Sequence, residues 1–112
     1  MKLGKHIVNQ VPVLTLEGRF DAHETSAVSA WLAQNTENPP AQLVINLSGV
    51  NFIDSAALST LVQGLKRCRQ RGGDLHLCAL QEPVRIIFEL TRLKRAFTIV
   101  DDERTAVSLF AK

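Results

Sequence analysis

The chain has only two cysteines, Cys68 and Cys78, among its 112 residues. They have no companion pair and no metal-ligand spacing, so they specify neither a disulfide framework nor a zinc site. Both fall within apolar patterns and are expected as buried free thiols, which suits a reducing, cytoplasmic compartment. No apolar run is long enough to cross a bilayer. The opening MKLGKHIVNQ has no apolar core after its lysines and does not read as a signal peptide. A net charge of +2 is too small to point to nucleic acid or to a membrane surface. The glycines Gly18, Gly49, Gly64, Gly72 and Gly73 are scattered, without the spacing of a phosphate-cradling loop. Ser55 has no G-x-S-x-G elbow around it. His6, His23 and His76 fall on three separate elements, so no base is placed for a nucleophile and no enzymatic activity, metal or cofactor is expected.

What is present describes one domain, residues 1–112, with 46% hydrophobic and 21% charged residues, ordinary values for a globular protein. Ile7-Val8 is a short first strand. A turn at Asn9-Gln10 joins it to an alternating second strand, Val11 to Leu16, closed by Gly18. Asp21 to about Gln34 reads as a helix, with Asp21 as N-cap, Glu24 completing a capping box, and Ala27, Val28, Trp31 and Leu32 on one apolar stripe. Trp31 is expected in the core. Leu43 to Leu47 is a third strand, and Ser48 to Ile53 a loop. A second helix follows, with Ala57, Leu58, Leu61, Val62, Leu65 and Cys68 at helical spacing, stopped at Gly72-Gly73. Lys66, Arg67, Arg69 and Arg71 near its end match the helix dipole, and no aromatics interleave to suggest nucleic acid. Leu75 to Ala79 is a fourth strand. Pro83 opens a third helix carrying Val84, Ile87, Phe88 and Leu90. Phe97 to Val100 is a fifth strand, and Asp101 or Asp102 caps a last helix with Ala106, Leu109 and Phe110.

The order β-β-α-β-α-β-α-β-α predicts an α/β fold with a mixed sheet, the first hairpin antiparallel and the remaining strands parallel. Strands covered on both faces read as continuous apolar runs. Here Asn46 and His76 interrupt the pattern, so the helices are expected mainly on one face, with His76 on the opposite, less covered one. Functional groups of such sheets gather beyond the carboxyl ends of the strands. Those ends carry Asp21, Asp54-Ser55 and Gln81-Glu82. If the second and third strands are neighbours, Asp21, Asp54 and Ser55 share one rim. Ser55 is either the cap of the second helix or its first residue, with Asp54 as the cap. A helix N-terminus offers unpaired N–H groups and a positive dipole end, a favourable seat for phosphate.

The segment Leu43 to Ala57, LVINLSGVNFIDSAA, resembles the signature of STAS domains, in particular the anti-anti-sigma factors, with Asp54-Ser55-Ala56-Ala57-Leu58 at the position of D-S-[ST]-G-L. Leu16 to Asp21, Gly72 to Leu75, Val84 to Leu93 and Asp101 to Ala106 resemble further family motifs in the same order. Three positions depart from the pattern: Ala57 and Arg92 stand where the family usually has glycine, and Ala56 removes the second hydroxyl of the motif. The resemblance implies a single STAS-like domain that acts as an anti-sigma factor antagonist. It implies phosphorylation on Ser55 and partner binding through Asp21, Asp54, Ser55, Ala57 and Leu58. The implied partners are a serine-protein kinase that is also an anti-sigma factor, and a serine phosphatase that resets the switch. The alternative is a constitutive adaptor or transporter accessory subunit of the same fold. A monomer is the expected state, with no direct nucleic acid contact and no membrane insertion.

Overall fold

A computed structural model of the chain describes residues 1–111. Five strands stand side by side in the order of the sequence: β1 (Lys2–Val8), β2 (Val11–Phe20), β3 (Gln42–Ile53), β4 (Asp74–Cys78) and β5 (Thr98–Val100). β1 pairs antiparallel with β2, and the other neighbours pair parallel. Each parallel step moves the same way across the sheet. Right-handed crossovers that never reverse direction put every connecting helix on the same face. The helices α1 (Thr25–Asn35), α2 (Ser55–Gln70) and α3 (Glu82–Leu90) accordingly share one core with the strands. Val28, Trp31 and Leu32 of α1, Leu61 and Leu65 of α2, and Val84 and Phe88 of α3 pack on Leu14, Leu43, Ile45, Leu75 and Leu77.

The final helix α4 (Glu103–Ser108) follows the last strand and is free to cross to the other face. There Ala106 and Val107 bury Val11, Val13, Val44 and Cys78. The second face is therefore covered where it was expected to lie partly open. His76 is buried against α4, stacked on Phe110 with ring centroids 3.8 Å apart, and its Nδ1 meets the Ala106 carbonyl at 2.8 Å. Its polarity broke the apolar run, yet a backbone acceptor and an aromatic plate satisfy it in place. Both cysteines are buried and free, and burial pushes each thiol up to about 12.

Several boundaries differ from the sequence reading. β1 starts at Lys2 rather than near Ile7, because its whole length finds partners on β2 from Val11 to Glu17. It is an exposed edge, and Lys2 and Lys5 blunt it against pairing with other chains. β2 does not end at Gly18, which bends at φ 113° while the strand runs on to Phe20. Ser48–Ile53 is strand rather than loop. β3 carries two extra residues relative to β2, one between the pairs Thr15–Asn46 and Glu17–Gly49, one between Gly18–Val50 and Arg19–Phe52. Its inward residues Leu47, Val50 and Ile53 thus fall three apart, which hides a strand from a search for period two. Gly73 lies so close to Ala41 that a Cβ would collide with the Ala41 carbonyl, which instead accepts from Asp74 N–H at 3.0 Å.

Non-glycine residues take the left-handed region in three places: the first hairpin turn, Ala79 just after β4 at φ 60°, and the end of α3. Asn9 and Gln10, at φ 49° and 69°, form the two-residue hairpin loop between the paired Val8 and Val11. Both positive angles fit a type I′ turn, in which glycine is favoured at the second position. Arg92, at φ 63°, follows the end of α3 at a position that favours glycine. Gln10→Gly and Arg92→Gly are each expected to stabilise the fold by about 0.5–1 kcal/mol, the strain of a Cβ at positive φ exceeding glycine's entropy cost. Urea denaturation checks this as a higher midpoint at unchanged slope. A lower midpoint for both would contradict the assignment.

Candidate functional site

β2 and β3 are parallel neighbours, so the residues that leave their carboxyl ends, Asp21 and Asp54, come together. Asp21 does not cap the α-helix itself. Its Oδ1 accepts from His23 N–H at 3.0 Å and caps a 3₁₀ turn, Ala22–Glu24, that precedes α1. The expected capping box is absent, because Glu24 Oε1 instead accepts from the Met1 amino group at 3.1 Å.

Asp54 is the N-cap of α2, which settles the choice between it and Ser55. Its two carboxylate oxygens face different elements. Oδ1 accepts from Ala57 N–H at 2.9 Å, inside the first turn of α2. Oδ2 accepts from Ala22 N–H at 3.0 Å, at the start of the 3₁₀ turn. The Asp54 N–H in turn donates to the Phe20 carbonyl at 3.3 Å. One side chain thus fastens two helical beginnings to each other. The Ala57 N–H lowers the Asp54 pKa most, partial desolvation opposes it, and Ala22 N–H, Ala56 N–H and the Arg19 charge add to the lowering.

Ser55 is the first residue of α2 and is exposed. Its hydroxyl makes no hydrogen bond to another side chain or to backbone among the described residues, and no histidine sits on it as a base. Leu58, one turn further on, is half-buried and packs in part against the core. Ala57 is a correction to the expected contact surface. It is 0% exposed in the core, so its side chain meets no partner, and what it contributes at the rim is its N–H. Of the other expected residues, Asp21 and Asp54 are brought together at the ends of β2 and β3, Ser55 follows Asp54, and Leu58 lies one turn along α2, packed in part against the core.

Two residues of this rim escaped the sequence reading. The Arg19 guanidinium lies over the Phe52 ring, 3.6 Å from its centroid, and its Nε is 3.4 Å from Asp21 Oδ2. Arg19 and Asp21, like Phe52 and Asp54, are two residues apart and share a strand face. That spacing was the available signal, concealed because Ser48 to Ile53 read as a loop. Gln81, the residue before α3, donates from Nε2 to the Ser48 carbonyl at 2.7 Å, in the middle of β3 and six residues short of Asp54, so the end of β4 does not join the other two strand ends. None of the four clefts described is lined by Asp21, Asp54 or Ser55. A cleft of about 580 Å³, lined by residues including Asn9, Gln34, Asn38, Gln42 and Phe110, lies at the opposite ends of the strands.

The fold finds its counterpart among known proteins. The family model of the STAS domain matches residues 3–106, and the chain belongs to that family. It is similar to the anti-sigma F factor antagonist of Paenibacillus polymyxa, 24% identical over 99 residues that span 88% of this chain and 85% of that one. Among solved structures, an anti-sigma-factor antagonist (STAS) domain protein from Planctomyces limnophilus superposes with a TM-score of 0.88 at 20% identity, covering 98% of both chains. The phosphorylated form of the Bacillus cell fate determinant SpoIIAA superposes with a TM-score of 0.75 at 17% identity, over 96% of this chain and 98% of that one. A sulfate transporter family protein from Wolinella succinogenes does so with a TM-score of 0.79 at 18% identity, over 94% and 88%. No described helix is long and apolar enough to cross a membrane.

The double role of Asp54 has a measurable consequence. Its pKa is depressed in the folded protein, so the stability it adds is complete above its ordinary value of 3.8 and is lost as the pH falls through the depressed one. Asp54→Asn keeps a capping oxygen but cannot ionise. It is expected to remove part of the decline in melting temperature below pH 4, while Asp54→Ala lowers the melting temperature by several degrees at neutral pH as well. An identical acid profile for wild type and Asp54→Asn would contradict the assignment.

Proposed function

We propose that the chain is an anti-sigma factor antagonist whose docking on a serine-protein kinase, itself the anti-sigma factor, is switched by phosphorylation of Ser55. The observation that carries this reading is the exposed Ser55 hydroxyl at the first position of α2, beside a cap already supplied by Asp54. Because Asp54 does the capping, Ser55 is free of a structural task and can be modified without unfastening the helix. The Ser55 Oγ would form a bond to the γ-phosphorus of ATP held by the kinase, with ADP as leaving group and the serine proton released. A serine phosphatase would return the hydroxyl by hydrolysis to inorganic phosphate.

The phosphoryl group brings about −1.5 to −2 charges. At a helix start these meet a positive dipole end, so the fold tolerates them. The partner surface does not, since the rim already carries Asp21 and Asp54 and the added charge opposes any acidic or apolar contact. Asp21, Asp54, Ser55 and Leu58 form the centre of the docking surface, which would bury on the order of 1,200–2,000 Å² in total. A monomer acting in the cytoplasm is the state in which this switch operates.

A second reading is a constitutive adaptor of the same fold, which has the likeness to the sulfate transporter family protein behind it. The two separate on one comparison. Ser55→Asp is expected to lower affinity for the kinase partner at least tenfold while Ser55→Ala binds as the wild type does. Titration calorimetry against the partner purified with the chain measures both, and circular dichroism confirms that each variant is folded. Equal affinity for wild type and Ser55→Asp would overturn the switch and favour the adaptor.

A further inference from the structure

A loosely held cation stands on β2, against the strand that leads into Ser55. Arg19 is 64% exposed at its side chain, and its ion pair with Asp21 is long, at 3.4 Å. Asp21 is already engaged by His23 N–H, and the other contact of the guanidinium is the face of Phe52. An exposed pair of this kind is weak and exchanges readily for a better acceptor. The register places Arg19 opposite Phe52, three residues before Ser55, and its charge acts on Asp54, the residue next to the serine. The nearby carboxylates do not compete strongly for it. Both oxygens of Asp54 accept backbone N–H groups, and one oxygen of Asp21 does. A phosphoryl group carries up to twice the charge of a carboxylate and matches the planar fork of a guanidinium with two parallel hydrogen bonds.

We propose that Arg19 is the internal sensor of Ser55 phosphorylation: its guanidinium leaves Asp21 and the Phe52 ring and closes on the phosphoryl oxygens. Phosphorylation then does more than add negative charge. It withdraws a cation from the docking surface, bares the Phe52 ring and frees an oxygen of Asp21. Arg and aromatic residues are the usual anchors of protein interfaces, so taking this pair apart removes a contact that charge alone would leave. Arg19 is a positioning residue in this scheme and takes no part in phosphoryl transfer. The inference rests on the switch reading given above, which names Ser55 as the modified residue.

The test uses the whole chain with phosphoserine installed at position 55 during translation, so that no kinase is needed. Phosphorus NMR follows the second ionisation of the phosphoserine, which lies at about pH 6 in the absence of neighbours. A guanidinium on the phosphate favours the dianion. Arg19→Gln is expected to lower the second acid dissociation constant about threefold, and Arg19→Lys, which keeps the charge without the fork, to restore part of it. Asp21, His23 and Asp54 share the rim in every variant, so the difference isolates Arg19. A second readout needs no substitution: the Arg19 Nε–H resonance of the wild type shifts on phosphorylation and exchanges more slowly with water, while that of Arg69 stays put. An unchanged ionisation in Arg19→Gln together with an unmoved Arg19 resonance would overturn the proposal. That result would leave the switch standing, whereas Ser55→Asp binding as wild type would remove the switch without altering what phosphorus NMR reads.

Discussion

The carboxylate of Asp54 is the point on which the geometry of this rim turns. It holds the first turn of α2 with one oxygen and the turn that follows β2 with the other. Backbone N–H groups at a helix start have no partner within the helix, and a short side chain ahead of it is the usual remedy. Here the remedy serves two starts at once, because parallel pairing of β2 and β3 delivers them side by side. The relation of Ser55 to Asp21 and Arg19 follows from that one residue. A modification at Ser55 therefore acts at a helix start whose backbone is fastened to the turn that follows β2.

The strand order supplies the second constraint. A parallel sheet whose connections reverse direction opens a crevice at the point of reversal, where ligands bind. The parallel strands here never reverse, so three helices fall on one face and the strand ends form a closed rim. α4 then seals the second face with a small apolar cluster and a stacked, hydrogen-bonded histidine. Such an architecture leaves Asp21, Asp54 and Ser55 at the carboxyl ends of two adjacent strands, without a crevice made by a reversal of strand order.

Much of this was legible in the residues. Helical spacing located α2 and α3, the β-α alternation fixed the parallel pairing, and Asp54-Ser55 at the start of α2 stood out because a cap and a neighbouring hydroxyl were recognisable side by side. What escaped has physical reasons. Ser48 to Ile53 read as a loop because two extra residues on β3 spaced Leu47, Val50 and Ile53 by three. With that stretch misread, the strand-face pairing of Arg19 with Phe52 was invisible. Glu24 sat at the spacing of a capping box and was drawn to the Met1 amino group instead, a partner distant in sequence. His76 was placed on the correct face, but that a six-residue helix would cover it depends on tertiary packing that local pattern does not encode. Ala57 was read on the apolar stripe of the second helix, and it does lie in the core; only the motif resemblance made it a partner contact.

The proposed switch stands or falls on reversible phosphorylation of Ser55, the exposed first residue of α2. Intact-mass analysis and phosphosite mapping of the chain purified from its own cells, across growth conditions, decide the matter. A phosphoform that maps to Ser55 is expected, with neither Ser59 nor Thr60 of the same helix modified. A chain that carries no phosphate under any condition would overturn the switch.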